Sequence, residues 1–223
     1  MSRAHRLRAR ARAIRAVRAW FDARDFVEIE APLAVPSPGL EPHLRAFELA
    51  GAPAARRYLH TSPEYALKRL LAQGLDRIYS LGPCFRDEPP SPTHSPEFSM
   101  LEWYQAGLDL FGLMDQTEAV VRAACQGACG GLVTAGGLDL SAPFARLSVQ
   151  EAFVAHAGVD PFAHPTADAL RAAGRAAGVP VPTDSPDWDD VFFQILLNAV
   201  EPALEAGPPV FLWGYPASQA ALS

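Results

Sequence analysis

Residues Ile78 to Tyr104 read IYSLGPCFRDEPPSPTHSPEFSMLEWY, and this stretch decides the fold. Pro89, Pro90 and Pro92 deny a sheet the N–H donors its ladder needs, and with Pro96 they mark a loop between two strands. On the return strand a period of two puts Phe98, Met100, Glu102 and Tyr104 on one face and Glu97, Ser99, Leu101 and Trp103 on the other. An aromatic ring, a carboxylate and a phenol therefore share one surface. Arg86 and Glu88 stand two apart where the first strand ends, so they share a face that can meet that surface across the hairpin. A fixed guanidinium suits a phosphate, a flat ring suits a base, and a carboxylate beyond them suits an amine.

Working outward, the whole chain has 223 residues, 49% of them hydrophobic, which is enough for a buried core in one domain or a domain with an insertion. No apolar run reaches the length of a bilayer, so no membrane span is expected. The formal charge of −6 argues against a surface built mainly to neutralise nucleic-acid phosphates. Cys84, Cys125 and Cys129 are odd in number and show no zinc-ligand pairing, which points to a reducing, cytoplasmic setting. Positive charge is almost all arginine, Lys68 being the only lysine.

Ahead of the hairpin, Met1 to Arg24 is rich in Arg and Ala, with Leu7, Ile14, Val17 and Phe21 at near-helical spacing. An amphipathic helix with a solvated arginine face fits better than a targeting peptide or a nucleic-acid arm, because the apolar stripe runs on into Phe26, Val27 and Ile29. Pro36 to Pro42 and Gly51 to Arg57 read as turns. Ser62 as N-cap, Pro63 at the first helical position and Gly74 past the end outline a helix whose first-turn acid is Glu64. Beyond the hairpin, Leu110, Leu113, Met114, Thr117, Val120 and Val121 fit a core-facing helix stripe, and Gly127 to Gly137 reads as a break. Ser148 with Glu151 forms a capping box, further helices are expected around Ala167 to Ala177 and Asp187 to Leu204, and Pro202 should kink the latter. His156 and His164 read as structural, and Asp189 and Asp190 as solvated first-turn acids. Pro209 to Trp213 reads as a buried strand.

Phe85-Arg86-Asp87-Glu88, the loop, and His94-Ser95-Pro96-Glu97-Phe98-Ser99-Met100-Leu101-Glu102-Trp103-Tyr104 resemble motif 2 of the class II aminoacyl-tRNA synthetases in its lysyl version. Phe26-Val27-Glu28-Ile29-Glu30-Ala31-Pro32 is similar to motif 1, and Thr61-Ser62-Pro63-Glu64 followed by Lys68-Arg69-Leu70 to a lysyl-family segment. Within that group the likeness, including Pro216-Ala217-Ser218-Gln219-Ala220, is greatest to the short paralogue that attaches β-lysine to a lysine of elongation factor P.

The resemblance implies an α+β fold: an antiparallel sheet flanked by helices, incomplete at the C-terminus. It implies a core at 1–147, a helical insertion at 148–206 and a return strand of the core at 207–223. The implied reaction joins lysine or β-lysine to ATP as an adenylate and passes it to elongation factor P. Arg86 is the implied catalytic residue, gripping the α-phosphate and the reacting carboxylate. Asp87, Glu88, Ser95 and Phe98 complete the ATP site, with Phe98 stacking on adenine. Ser62, Pro63, Glu64, Glu102 and Tyr104 are the implied substrate residues, a pair of carboxylates being a receptor for ammonium groups.

A homodimer is implied through motif 1. The short stretch ahead of Phe26 leaves no room for an anticodon-binding barrel, so tRNA is not the expected acceptor. Ser95 stands where the family has asparagine, and the Pro89 to Thr93 loop lacks the family's basic residue. Mg2+ is expected for the family, but its glutamate ligands and motif 3 belong to a segment not present here, so no residue is assigned to metal. Two other readings are a non-catalytic binding module and a fragment of a lysyl-tRNA synthetase.

Overall fold

A computed structural model describes residues 2–39, 41, 44–51, 56–131, 138–205 and 207–219. The expected turns at Pro36 to Pro42 and Gly51 to Arg57, and most of the Gly127 to Gly137 break, lie partly outside them, as do the last residues from Ala220. The chain divides into two compact units, Met1–Gln116 and Thr117–Ser223.

The first unit is organised on the hairpin. Strand β4 (Arg77–Phe85) pairs antiparallel with β5 (Glu97–Gln105) through nine partners from Arg77↔Gln105 to Phe85↔Glu97. Arg86 N–H then donates to the Pro96 carbonyl at 2.9 Å, closing the loop that the prolines break. On the back of this ribbon lies helix α1 (Arg3–Asp22), whose Phe21 stacks on Tyr79 at 4.4 Å and meets Trp103 at 5.8 Å. Of the α1 stripe, Val17 and Phe21 are buried while Leu7 is exposed, and nearer the start of the helix Arg10 Nη2 donates to Ser99 Oγ on β5 at 2.7 Å.

Strand β1 (Val27–Glu28) pairs parallel with β4, in register Val27↔Ile78. The sheet β1-β4-β5 is therefore mixed rather than wholly antiparallel. The cause is topological: some fifty residues, including helix α2 (Glu64–Leu71), separate the two strands, and a parallel pair requires such a crossover. Two-residue strands β2 (Ala34–Val35) and β3 (Tyr58–Leu59) form a separate antiparallel pair.

Helix α2 starts one residue later than the sequence suggests. Pro63 is its N-cap residue without a side-chain bond, and Ser62 Oγ accepts from the Glu64 N–H at 3.3 Å, an i to i+2 turn rather than a cap. At the far end Gly74 adopts φ +94°, a conformation for which glycine is suited.

Helix α3 (Leu110–Cys129) runs through Gly127 and ends at Gly130, where φ is +75°, so the break begins three residues later than expected. Its apolar stripe is only partly core. Met114 and Val120 are buried, whereas Leu110, Leu113 and Val121 are exposed.

In the second unit β6 (Ala145–Ser148) pairs parallel with β7 (Val210–Trp213). Between them run α4 (Val149–Ala157), α5 (Ala167–Ala176), α6 (Trp188–Ile195) and α7 (Glu201–Glu205). The capping box opens α4: Ser148 Oγ accepts from the Glu151 N–H at 3.1 Å, and Glu151 Oε2 accepts from the Ser148 N–H at 2.9 Å. Pro202 lies in α7, directly after a π turn over Leu196–Val200. Its missing N–H and its ring, which crowds the carbonyl four residues back, both favour a widened turn over a continuous helix. Phe153, Leu170, Val191, Phe192, Ile195 and Val200 form a dry core, with Phe153 stacked on Phe192 at 4.7 Å. Asp189 is not merely solvated: its Oδ1 accepts from Ser218 Oγ at 2.9 Å.

Candidate active site

The β4–β5 register places Phe98, Met100, Glu102 and Tyr104 opposite Cys84, Gly82, Ser80 and Ile78. Alternation turns these residues to one face, away from the Phe21, Tyr79 and Trp103 cluster. Ile78 and Cys84 are buried at its base, while Phe98, Glu102 and Tyr104 are half-buried.

At one end of this wall the Arg86 guanidinium lies over the Phe98 ring, 5.2 Å from its centroid. Its Nε is buried without a hydrogen-bond partner. A buried donor left unpaired is costly, and an anionic oxygen is the acceptor best matched to it. The backbone just beyond is pinned by Arg45, whose Nε and Nη2 donate to the Asp87 carbonyl at 3.1 and 3.0 Å, while the Asp87 N–H donates to the Arg45 carbonyl at 2.8 Å. Asp87 thus takes part through its main chain, and Arg45 is a positioning residue that the hairpin pattern does not reveal. Glu88 is half-buried two residues past Arg86, with its N–H donating to the Arg86 carbonyl. Ser95 is exposed in the loop, where it lines a shallow surface depression together with Phe98.

At the other end Tyr104 donates its phenol to Glu102 Oε1 at 2.7 Å. Burial pushes the Glu102 carboxyl above the usual range; the Tyr104 hydrogen bond opposes this, and the neighbouring charge of Glu64 adds to it. Burial and the bond to Glu102 push the Tyr104 phenol far upward as well, so it remains a donor at every physiological pH. Glu64 arrives from the start of α2, with Ser62 and Pro63 setting the turn that delivers it. Lys68, one helical turn on, donates to Glu64 Oε1 at 2.6 Å. The wall thus joins Arg86 with Phe98, and Glu64 with Glu102 and Tyr104.

His60 is a further residue that the sequence reading passed over. It is buried, donates through Nε2 to the Pro83 carbonyl at 2.9 Å, and sits 3.7 Å from Cys84 Sγ. Burial pushes the Cys84 thiol up to about 11, which makes it inert rather than nucleophilic. The only hint in the sequence was the position of His60 just before Thr61-Ser62-Pro63-Glu64.

A cavity of about 280 Å³ opens where β1 leaves β4, lined among others by Arg18, Glu28, Glu30, His60, Ser80 and Cys84. It shares Ser80, Gly82, Cys84 and Met100 with the wall and takes Pro63 from the turn before α2, but Glu64, Arg86, Phe98, Glu102 and Tyr104 do not line it. The residues with complementary chemistry stand on the wall, so the wall is the candidate site. Among the described residues no three acidic, imidazole or thiol side chains gather as metal ligands. No helix is long and apolar enough to cross a membrane among the described residues.

Residues 2–222 match the family described as tRNA synthetases class II (D, K and N). The chain is 35% identical over 220 residues to the elongation factor P--(R)-beta-lysine ligase of Hamiltonella defensa, covering 96% of this chain and 63% of that protein. The protein of the same name in Yersinia enterocolitica is 34% identical, covering 93% and 61%. A lysine--tRNA ligase of Parasynechococcus marenigrum is 34% identical, covering 94% of this chain and 42% of that one. The chain thus spans less than two thirds of the length of these relatives.

Proposed function

Because this chain belongs to the class II tRNA synthetase family of the D, K and N type, we propose that its wall binds ATP and a diamino acid for adenylate formation. In this reading lysine or β-lysine is the substrate and a lysine of elongation factor P the acceptor. The observation that carries it is the two-ended wall: Arg86 against Phe98 at 5.2 Å, and Tyr104 on Glu102 at 2.7 Å beside Glu64.

Adenine stacks on Phe98, and the α-phosphate meets the Arg86 guanidinium, whose Nε gains the partner it lacks. The amino acid carboxylate attacks the α-phosphorus and pyrophosphate departs. Arg86 contributes by holding both anions in line and offsetting the charge that gathers between them. Asp87 and Glu88 follow it on the ATP side, and Ser95 edges that side from the loop. Glu64 and Glu102, oriented by Ser62, Pro63 and Tyr104, receive the ammonium groups.

We read 148–206 as a helical insertion between β6 and β7, and the protein as a cytoplasmic homodimer. Support for the protein acceptor comes from relatives named as elongation factor P--(R)-beta-lysine ligases across nearly all of this chain. A tRNA acceptor is the second reading, favoured by a lysine--tRNA ligase at comparable identity.

The test is amino-acid-dependent exchange of labelled pyrophosphate into ATP with lysine and with β-lysine, followed by transfer of label to elongation factor P or to tRNA. Exchange with either amino acid is expected. Absence of exchange with both would remove the adenylate reading for this chain, and label appearing on tRNA alone would move the acceptor.

A further inference from the structure

Glu64 and Glu102 are two acids on one partly desolvated wall, and the chain sets a cation of its own beside them. Lys68 sits four residues after Glu64, so one turn of α2 brings both side chains to the same side. The result is a charge-assisted hydrogen bond of 2.6 Å between Lys68 Nζ and Glu64 Oε1. The pair is asymmetric: the Lys68 side chain keeps 48% of its exposure and Glu64 only 22%, so the lysine reaches in from solvent while the acid belongs to the site. Its charge also acts on Glu102, from the neighbouring strand.

The charged and titratable groups around Lys68 are Glu64 and Tyr65 on α2 and Glu102 on β5; His60, Cys84 and Tyr104 also stand near Glu102. The receptor is thus two carboxylates with one resident ammonium. An ammonium group entering between the two carboxylates meets an acid already paired. A neutral side chain of the same length offers nothing to take the place of that pair.

We propose that Lys68 is the resident counter-cation of the amine receptor, displaced from Glu64 by the substrate's own ammonium group, and that it thereby sets the affinity for diamino acids. This rests on the reading of Glu64 and Glu102 as that receptor. Displacement exchanges one ammonium for another and leaves the charge at Glu64 balanced throughout. Lys68, once released, swings to water on its flexible stem.

Lys68 is the only lysine in the chain, so lysine labelled with 13C at the ε carbon gives one side-chain signal that reports this site alone. In the unliganded protein that signal should titrate above the ordinary lysine range and return to it in Glu64→Gln. Addition of unlabelled lysine should move the wild-type signal to the position seen in Glu64→Gln. Calorimetry should show Lys68→Met binding lysine about two- to fivefold more tightly than wild type, the range an exposed ion pair can withhold. Lys68→Arg should restore the wild-type value, and norleucine, which lacks the side-chain ammonium, should bind equally poorly to all three.

Lysine that binds by calorimetry while the Lys68 signal stays in place overturns the displacement and leaves the receptor reading standing. Weaker lysine binding by a folded Lys68→Met protein does the same. Lysine that binds to none of the proteins overturns the receptor reading and the inference with it.

Discussion

The wall that carries Arg86 and Glu102 and the helical cluster around Phe192 are built on opposite rules. In the cluster Phe153, Leu170, Val191, Phe192 and Ile195 are wholly buried, and the neighbouring buried Arg171 is paired, its Nε donating to the Thr183 carbonyl at 2.9 Å and its Nη1 to Asp168 Oδ1 at 2.6 Å. On the wall Arg86, Phe98, Glu102 and Tyr104 are all half-buried, one guanidinium nitrogen has no partner, and one carboxyl is held above its usual range. The cluster is satisfied as it stands. The wall has stability to gain from a ligand, which is the physical mark of a site.

That contrast can be broken most forcefully from the apolar side. Phe192→Ala should destabilise the fold by about 3–5 kcal/mol, the cost of an aromatic-sized hole in a dry core, read from urea or thermal unfolding. A loss below about 1 kcal/mol would mean the cluster is not the packed core described here. Arg86→Ala should do the reverse, weakening the binding of ATP or a non-hydrolysable adenylate analogue by about 1.5–3 kcal/mol while leaving unfolding nearly unchanged. A protein that lost stability but kept its affinity would invert the comparison.

The smallest effect sharpens it. Because the folded Glu102 carboxyl is raised above its unfolded value, the folded state holds its proton more tightly, and the penalty for ionising it appears as pH rises. Glu102→Gln should therefore match wild type in stability below the usual carboxylate range and exceed it by about 0.5 kcal/mol at pH 8, once solvent screening is allowed for. Urea midpoints measured across that window check the sign, and an offset that does not vary with pH would point to packing instead.

Much of the wall was legible before any coordinates. Prolines that cannot enter a ladder bracket the loop, and strict alternation sorts Glu102 and Tyr104 from Leu101 and Trp103, because a strand's faces follow from covalent geometry alone. Non-local features were not legible. The parallel pairing of β1 with β4 depends on a crossover whose hand and landing place no local pattern encodes. The spacing of Glu64 and Lys68 was visible, yet an i to i+4 pair looks the same on an open surface as it does beside Glu102. Leu110, Leu113 and Val121 fit a buried stripe by period but are exposed, because periodicity tells which residues share a face and not what that face meets. Asp189 looked like a free acid until the turn at Ala217–Gln219 came back to it.

The two sides of the β4–β5 ribbon differ so completely that its pairing has no near-miss. A slip of β5 by a single residue would swing Glu102 toward the Phe21 ring and present Leu101 and Trp103 on the face where Glu102 and Tyr104 now stand. Such a molecule would lose both the seat of its first helix and any affinity for cations in one step. Errors in folding at this hairpin are therefore self-reporting, and a population that has assembled α1 correctly has, by the same act, assembled the front of the sheet.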